Sequence, residues 1–312
     1  MLNNEKVWYD GNIVNAEDAT VPVLSFGLQY GWGVFEGIRA YPSGSGYLIF
    51  RLRDHVSRLF RSAKLLGLEI PYSQEEVYSG VCRTVLENKG SDYIRPIAFG
   101  GQGSSVALGT SDMVTHVAVA AVKMGEYVPG ASDKGIDVVT SAWEKPRWRA
   151  MPVTAKICGG YIGSIMAKRD AGRRGADEAL MLNFDGTVAE GSAENIFIIE
   201  DDVISTPPLS AGILEGITRD TVMQLSLDMG YKVCERNLAW DEVASADEVF
   251  MCGTALEIQG VRSLDGRIIG DGGVGSVTRQ VMTTYHDLVR GRIPKYLAWC
   301  DRAESVLNSV LI

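Results

Sequence analysis

The sequence predicts an α+β protein with two domains, and three observations support this fold class. The chain has 312 residues, a length typical of two domains. Strand-like and helix-like segments alternate in both halves. Between the halves, MGEYVPGASDKG (124–135) is rich in residues that favour turns. We therefore expect a smaller N-terminal domain over 1–123, a linker over 124–133 and a larger C-terminal domain over 134–312.

The first half contains strand and helix patterns in alternation. KVWYDGNIV predicts a hairpin around Asp10-Gly11. Residues 53–66 carry apolar side chains at helical spacing, and Gly67 is a suitable end for that helix. Ser73 with Glu76 forms a capping-box pattern that opens a second helix through about Asn88. Further strands are predicted for GVFEGIRAY, GYLIFR, DYIRPIAF and the near-continuous apolar run MVTHVAVAAV, which is typical of a buried strand.

The second half repeats this mixture. Residues 160–174 predict a helix that ends in arginines before Gly175, the end of a helix where positive charge is favourable. Hairpins are expected in EALMLNFDGTVAEG and IFIIEDDVIST. Further elements are the strands GIDVVTSAW and EVFMCGT and the helices TRDTVMQLSLDMG and SVTRQVMTTYHDLVRG.

Composition and charge exclude several classes of function. Hydrophobic residues make up 46% and charged residues 22%, which is ordinary for a globular protein. The net charge of −9 argues against nucleic-acid or anionic-membrane partners. It leaves a phosphate ligand possible, because a helix N-terminus and one or two arginines can bind one. We see no signal peptide and no apolar run long enough to span a membrane.

The cysteines and histidines do not form a recognisable site. The five cysteines are scattered and lack a CxxC pair, so we expect free thiols in a reducing cytoplasm. The three histidines have no zinc-ligand spacing, and we expect no metal site. The sequence also lacks a GxSxG motif.

GDGGVG at 270–275 formally matches the dinucleotide fingerprint GxGxxG. The strand before it belongs to a hairpin over LDGRII, and the helix after it leaves room for no clear second strand. We interpret this segment as a glycine-rich loop entering a helix, and a nucleotide-binding oxidoreductase as a weaker alternative.

Four segments contain residues suited to catalysis, and each alone is a weak signal: TAKICGGY, VAEGSAEN, the strand leading to Thr254, and ILEGITRD. Lys156 lies in TAKICGGY among small, uncharged residues, where partial desolvation would favour a Schiff-base nucleophile. From these neighbours alone, an ordinary solvated surface lysine is still the favoured interpretation. Glu190 follows a strand in VAEGSAEN and could either cap a turn or face a heteroaromatic nitrogen. Thr218 in LEGITRD starts a helix, so it could cap that helix or receive a phosphate. Arg58 could be an ordinary amphipathic side chain or a phosphate clamp.

In this order, these segments resemble the branched-chain aminotransferases, pyridoxal-phosphate enzymes of fold type IV. The similarity runs from about residue 6 to about residue 290. It rests on LQYGWGVFEGIRAY, RLRDHVSRLFRSAK, DYIRP, AKICGGY, EGSAENIF, LEGITRD and EVFMCGTALEI. The resemblance implies the D-amino-acid aminotransferase-like fold, with a smaller N-terminal α/β domain and a larger C-terminal mixed α/β, barrel-like domain.

The resemblance also implies roles for individual residues. Lys156 would be the aldimine lysine and proton shuttle, and Glu190 would contact the pyridine nitrogen of pyridoxal 5'-phosphate. Tyr161 would bond the cofactor's phenolic oxygen, and Leu214 would pack on its ring. The phosphate would be held by Arg58, Ile217, Thr218 and Thr254. The substrate carboxylate would be received by Tyr93, Arg95, Thr254 and Ala255, and the side-chain pocket would be shaped by Tyr30, Phe35, Gly37, Arg39 and Tyr127.

The activity implied is transfer of the amino group between leucine, isoleucine or valine and 2-oxoglutarate by a ping-pong mechanism. In this family some pocket groups come from a neighbouring subunit, so we expect a homodimer or a higher homo-oligomer. We expect neither nucleic-acid nor membrane partners.

Several positions depart from the family pattern. They are Trp32 and Gly33, Met124, Gly160 and the loop GGQGSSVALG (100–109). These departures concern the substrate pocket, so a D-amino-acid or (R)-amine transaminase of the same fold, or a widened substrate range, stays an alternative. Aminodeoxychorismate lyase and a non-catalytic cofactor-binding protein are further alternatives; Tyr93 with Arg95 argues against the first, and the Lys156, Glu190 and Tyr161 set against the second.

Overall fold

The computed structural model describes residues 5–44, 46–128 and 130–305, which form two compact units. Unit 1 contains the described residues of Met1–Gly125, Ala155–Gly160 and Leu288–Ile312, and unit 2 those of Glu126–Thr154 and Tyr161–Asp287. The sequence predicted two continuous domains, whereas each unit is assembled from separate stretches of chain. The stretch that carries Lys156 belongs to unit 1, since Val34 and Ile157 form an antiparallel bridge.

Unit 1 is built on a sheet with helices α1 (Phe26–Tyr30), α2 (Leu52–Leu66) and α3 (Gln74–Glu87). The strands from the first 125 residues are β1 (Lys6–Tyr9), β2 (Asn12–Asn15), β3 (Gly33–Phe35), β4 (Ile38–Ser43), β5 (Gly46–Phe50), β6 (Tyr93–Gly100) and β7 (Thr115–Val122). They pair in the order β5-β4-β6-β7-β1-β2, and β3 also pairs with β6. The predicted hairpin at Asp10-Gly11 is confirmed, with positive φ at both residues.

Two strands and two helix ends of unit 1 show how the structure departs from, or agrees with, the sequence predictions. GVFEGIRAY is two strands, because the ladder is interrupted at Glu36-Gly37 between β3 and β4. Strand β7 buries alternate residues only, so it is half-buried and not wholly internal. The predicted caps are confirmed: Gly67 ends α2 with φ 73°, and Ser73 and Glu76 exchange the two hydrogen bonds of a capping box at α3.

Unit 2 is built on a mixed sheet in the order β10-β9-β8-β15-β14-β11-β12-β13, with β16 paired to β15. Its strands are β8 (Ile136–Thr140), β9 (Glu178–Leu182), β10 (Val188–Gly191), β11 (Asn195–Glu200), β12 (Val203–Thr206), β13 (Lys232–Glu235), β14 (Glu248–Gly253), β15 (Glu257–Leu264) and β16 (Arg267–Ile268). Its helices are α4 (Ala131–Lys134), α5 (Tyr161–Arg173), α6 (Ile217–Asp228), α7 (Trp240–Ser245) and α8 (Ser276–Val289), the last of which continues into unit 1.

The hydrophobic core of unit 2 lies against this sheet. Fully buried aliphatic residues from β8, β9, β11 and β14 pack together, among them Ile136, Leu180, Ile196 and Met251. Among the described residues, the last strand is β17 (Cys300–Arg302), which pairs with β5 in the sheet of unit 1. Both units mix sheet and helix, which confirms the predicted α+β class.

The glycine-rich segment 270–275 follows a β15–β16 hairpin that turns at Asp265-Gly266 and precedes α8. It is therefore a loop entering a helix, as interpreted from the sequence. Within the described ranges, no helix is both long and apolar enough to cross a bilayer.

Candidate active site

Lys156 lies in unit 1, where its backbone is held from two sides. Its N–H donates to Ser62 Oγ of α2 at 3.0 Å, and its carbonyl accepts from the N–H of Phe35 in β3 at 3.1 Å. The half-buried side chain places Nζ 4.9 Å from the centroid of the Phe35 ring. Strand β3 and helix α2 therefore fix the backbone position of this lysine, which the sequence singled out only through the family resemblance.

Arg95 and Tyr93 lie beside the same phenylalanine. The guanidinium carbon of Arg95 is 4.6 Å from the Phe35 ring centroid, and Arg95 Nη2 donates to Tyr93 Oη at 2.9 Å. A Cβ on Gly37 would lie 2.0 Å from Tyr93 Oη, so only glycine leaves room for this phenol. Burial raises the pKa of Tyr93, which keeps the phenol protonated as a hydrogen-bond donor. The structure thus brings together four of the predicted residues with Lys156.

Arg58 is buried in a group of three that we call the Glu36 cluster, formed by Glu36, His55 and Arg58. Arg58 donates to both oxygens of Glu36, at 2.6 and 2.8 Å, and His55 Nδ1 lies 2.8 Å from Glu36 Oε2. Burial opposes ionisation of Glu36, but Arg58 and His55 outweigh it and hold the Glu36 pKa far below its usual range. Burial also lowers the pKa of His55. Arg58 is therefore a guanidinium held in a defined orientation.

The remaining predicted residues of unit 1 have other contacts. Tyr30 is 44% exposed and donates its hydroxyl to the carbonyl of Val106 at 2.8 Å. Arg39 is buried, donating to Asp92 at 3.2 Å and to the carbonyl of Gly125 at 3.0 Å. Arg39 therefore links Asp92, which precedes β6, to Gly125, which follows β7.

Glu190 lies in unit 2 at the centre of what we call the Glu190 cluster, formed by Glu190, Lys145, Asn195 and Leu214. Lys145 Nζ is 2.7 Å from Glu190 Oε1, and Asn195 Nδ2 donates to Oε2 at 3.0 Å. The N–H of Leu214 lies 3.2–3.3 Å from both oxygens. Strand β10 has a register irregularity between Val188 and Glu190, a feature that commonly changes the direction of a side chain in a strand.

The predicted phosphate residues Ile217 and Thr218 form the first turn of α6, and both are buried. Gly216 precedes them, and a Cβ there would lie 2.0 Å from Asn195 Oδ1. Asn195 also donates to the carbonyl of Leu214 at 3.1 Å. This close approach ties the start of α6 to the Glu190 cluster. The first amides of a helix are suited to bind a phosphate.

The other predicted residues of unit 2 lie on different elements. Tyr161 begins α5, and Thr254 and Ala255 form the turn between β14 and β15. Tyr127 packs on the core of unit 2, with Lys168 Nζ 4.9 Å from its ring centroid.

The positions that depart from the family pattern are also placed by the structure. Gly33 is close-packed, since a Cβ there would lie 3.0 Å from both the Ala98 carbonyl and Phe99. The N–H of Met124 donates to Asp92 at 2.6 Å. In the 100–109 loop, Val106 and Leu108 are 49% and 80% exposed. In the described ranges, no group of three or more His, Cys, Asp or Glu is arranged to hold a metal.

Comparison with known proteins identifies the family. The amino-transferase class IV model matches residues 33–264. The branched-chain-amino-acid aminotransferase of Pseudomonas aeruginosa is 44% identical over 295 residues, 94% of this chain and 95% of that protein. The chain is a branched-chain aminotransferase of class IV. The Escherichia coli K12 enzyme of the same name is 38% identical over 95% of this chain and 96% of its own.

Solved structures agree with this family and its fold. The branched-chain aminotransferase of Thermoproteus uzoniensis, solved with norvaline, has a TM-score of 0.91 and 44% identity over 96% of this chain and 99% of that one. The enzyme of Thermobaculum terrenum, solved in its PLP-form, has a TM-score of 0.90 and 31% identity over 97% of this chain and 99% of that one. Fold type IV, predicted from the sequence, is thereby confirmed.

Pyridoxal 5'-phosphate is the cofactor of this aminotransferase, and the residues present fit it. Three donors in the Glu190 cluster face the carboxylate, which has about four lone-pair sites and so can accept one further bond, from a protonated ring nitrogen. Ile217 and Thr218 offer helix N-terminal amides to a phosphate. Lys156 presents a primary amine beside Phe35, the type of group that can hold an aldehyde cofactor covalently.

Sequence reasoning missed Lys145, Asn195 and Glu36, which contact the predicted residues directly. Asn195 and Glu36 stand inside the segments EGSAEN and VFEGIR, so their nearness to Glu190 and Gly37 was a usable signal. Lys145 stands 45 positions before Glu190 among other charged residues, and the sequence offers no sign of their pairing.

Proposed function

We propose that this aminotransferase exchanges the amino group between L-leucine, L-isoleucine or L-valine and 2-oxoglutarate, in two half-reactions that use the cofactor alternately. The names of its relatives support branched-chain donors. The observation that carries the proposal is the group formed by Lys156, Phe35, Tyr93 and Arg95. It combines an amine, an apolar ring and two carboxylate-binding groups, which are the features that an amino-acid donor needs.

In the proposed chemistry, separate residues hold the cofactor, move the Cα proton and stabilise the charge on the cofactor ring. Bound pyridoxal phosphate supplies a ring that accepts electrons from the substrate's Cα. Lys156 Nζ would hold the cofactor covalently, and its amine would serve as the base that moves the proton to and from Cα. The Glu190 carboxylate accepts the N–H of the protonated ring nitrogen, and Tyr161 donates to the phenolic oxygen. Leu214 contacts the ring, while Arg58, Ile217, Thr218 and Thr254 bind the phosphate.

The substrate is selected by charged groups that bind its carboxylate and by an apolar pocket that binds its side chain. Arg95, Tyr93 and the amides of Thr254 and Ala255 receive the α-carboxylate, and Arg95 also serves the distal carboxylate of 2-oxoglutarate. Tyr30, Phe35, Gly37, Arg39 and Tyr127 shape the side-chain pocket. Because one methylene in such a pocket is worth about 1–3 kcal/mol, discrimination among the three branched donors is mild.

We also propose that the enzyme acts as a homodimer or a larger homo-oligomer. Val23, Leu28, Leu108 and Val114 of unit 1 expose 62–80% of their surface. Apolar surface of this kind is covered in a stable protein–protein interface. Sedimentation at micromolar concentration measures the assembly, and a monomeric mass contradicts this part of the proposal.

The free cysteines support a reducing compartment, the cytoplasm, because paired thiols are the rule in oxidising ones. The test of this location is fractionation of the native cells.

The activity is tested by adding L-leucine to the protein loaded with pyridoxal phosphate, without any oxo acid. We expect the visible band of the bound cofactor to disappear and one equivalent of the 2-oxo acid of leucine to form. Adding 2-oxoglutarate should restore the band and release glutamate. D-leucine and an (R)-amine serve as matched controls. A band that only these two remove contradicts the L-branched-chain proposal and indicates that the pocket departures redirected specificity.

A further inference from the structure

Lys145 is held at both of its ends in unit 2. Its N–H donates to the carbonyl of Leu182, at the end of β9, at 2.9 Å. Its Nζ is 2.7 Å from Glu190 Oε1, on the paired strand β10. Two residues later, the Arg147 guanidinium lies 3.5 Å from the centroid of the Phe184 ring and secures the same loop. The ammonium group is therefore delivered to one carboxylate oxygen by an anchored segment.

The described hydrogen bonds to Glu190 all have the carboxylate as acceptor. Lys145 Nζ donates to Oε1, Asn195 Nδ2 donates to Oε2, and the Leu214 N–H approaches both. The Lys145 and Glu190 side chains are only 13% and 7% exposed, so solvent screens their interaction weakly. Lys145 is the charged member of this donor set, whereas the other two are neutral amides.

We propose that Lys145 is a positioning residue that keeps the shared proton on the cofactor's ring nitrogen instead of on Glu190. The inference rests on the proposed contact between Glu190 and that nitrogen. A carboxylate that already accepts from an ammonium group has less negative charge to offer another proton. With Glu190 held as an anion by Lys145, the carboxylate would leave the proton on a ring nitrogen bound beside it, and the electron-withdrawing character of the ring depends on that proton.

Two roles of Lys145 must be distinguished: an electrostatic effect on the cofactor's ring nitrogen and a purely structural ion pair. A measurement of activity alone would not separate them. Lys145→Met retains the length of the side chain and removes its charge, and Lys145→Arg retains the charge. Lys232→Met, on the exposed edge of β13, is the control for loss of a lysine from unit 2. Each variant is loaded with pyridoxal phosphate labelled with ¹⁵N in the ring, and the nitrogen shift is recorded by NMR. Unfolding temperatures of the cofactor-free proteins and the kcat and KM for L-leucine complete the set.

We expect the wild type, Lys145→Arg and Lys232→Met to have the nitrogen shift of a protonated pyridine. In Lys145→Met the shift moves toward that of unprotonated pyridine, kcat falls about tenfold and KM changes little. Adding Lys145→Met to a Glu190→Gln background should produce no further shift, because Lys145 acts through the carboxylate.

A protonated-type shift in Lys145→Met overturns the inference, whatever happens to the unfolding temperature, because Lys145 is then only a structural counter-ion. A failure of Lys145→Arg to restore the shift also overturns it. Failure of the proposed function looks different: wild-type protein then has no protonated-type shift, or L-leucine leaves its cofactor band unchanged. The wild-type sample therefore tests the function, and the variants test Lys145.

Discussion

The Glu36 cluster of unit 1 and the Glu190 cluster of unit 2 use the same ion-pair chemistry in opposite ways. In the first, a carboxylate with no exposed surface supports Arg58, the group proposed to bind phosphate. In the second, Lys145 supports Glu190, the group proposed to contact the ring nitrogen. In one cluster an anion holds a functional cation, and in the other a cation holds a functional anion. The partner of a functional charge is therefore identified from the distances in the structure and not from the type of residue.

Burial also differs between the two clusters. The side chains of Glu36, His55 and Arg58 are 0–4% exposed, whereas Lys145 retains 13% exposure. A fully buried pair leaves an uncompensated charge when one member is lost. We therefore expect the Glu36 cluster to govern stability more than the Glu190 cluster, and the Glu190 cluster to govern activity more directly.

The largest effect is expected for Glu36→Gln. This change removes the buried negative charge that Arg58 and His55 contact, so the free energy of unfolding should fall by about 3–5 kcal/mol. Urea unfolding of the cofactor-free protein measures this loss. Glu75→Gln is the matched control, because its pair with Arg53 is 65–66% exposed, and we expect a change within about 1 kcal/mol. Equal losses in the two variants contradict the distinction drawn from burial.

Glu190→Gln tests the second cluster, where we expect the change to affect activity more than stability. The amide cannot accept charge-assisted bonds as the carboxylate does, so we expect kcat for L-leucine to fall by about a hundredfold or more. Stability should change less than in Glu36→Gln, by about 1–3 kcal/mol. Steady-state kinetics and urea unfolding of both variants measure the two quantities. A loss of stability in Glu190→Gln larger than that in Glu36→Gln reverses the assignment.

Gly37→Ala tests the substrate side of unit 1. The new methyl group must displace Tyr93 Oη, which lies 2.0 Å from its ideal position, and so disturbs the bond from Arg95. We expect KM for L-leucine to rise by about tenfold, equivalent to about 1.4 kcal/mol of binding. Gly163→Ala in α5 is the control, since its Cβ meets nothing within 4 Å. An unchanged KM in Gly37→Ala removes Tyr93 from carboxylate binding.

The smallest effect, when it is measured over the single pH unit from 7 to 8, concerns a carboxyl group next to the Glu190 cluster. Burial, together with the nearby charge of Glu178, raises the pKa of Glu194 to about 8, and the cation of Lys168 opposes the shift. The folded state therefore binds this proton more tightly than the unfolded chain, whose pKa is near 4.5. Stability should fall as pH rises from about 4.5 to about 8, and become level above that range.

Between pH 7 and 8 the loss should be about 1 kcal/mol. Urea unfolding across the pH range measures it, and Glu194→Gln should flatten the slope because the amide does not titrate. If the free energy of unfolding of Glu194→Gln depends on pH as steeply as that of the wild type, other titratable groups cause the dependence.

The sequence by itself determined the local elements, the family and the list of candidate residues. The caps at Gly67 and Ser73 and the turn at Asp10-Gly11 were predictable because they depend on neighbours within a few positions. Lys156 and Glu190 were recognisable because each stands in a short, distinctive segment. Their roles as cofactor residues stay proposals.

Only the tertiary structure decided how the chain is shared between units and which charges support which. The stretch around Lys156 joins unit 1 through a bridge from Ile157 to Val34, which are far apart in the sequence. Lys145 reaches Glu190, and Glu36 reaches Arg58, in the same non-local way. Local pattern carries no record of such pairings, because an ion pair depends on where two strands and a loop bring their side chains, and that position is set by the packing of the whole unit.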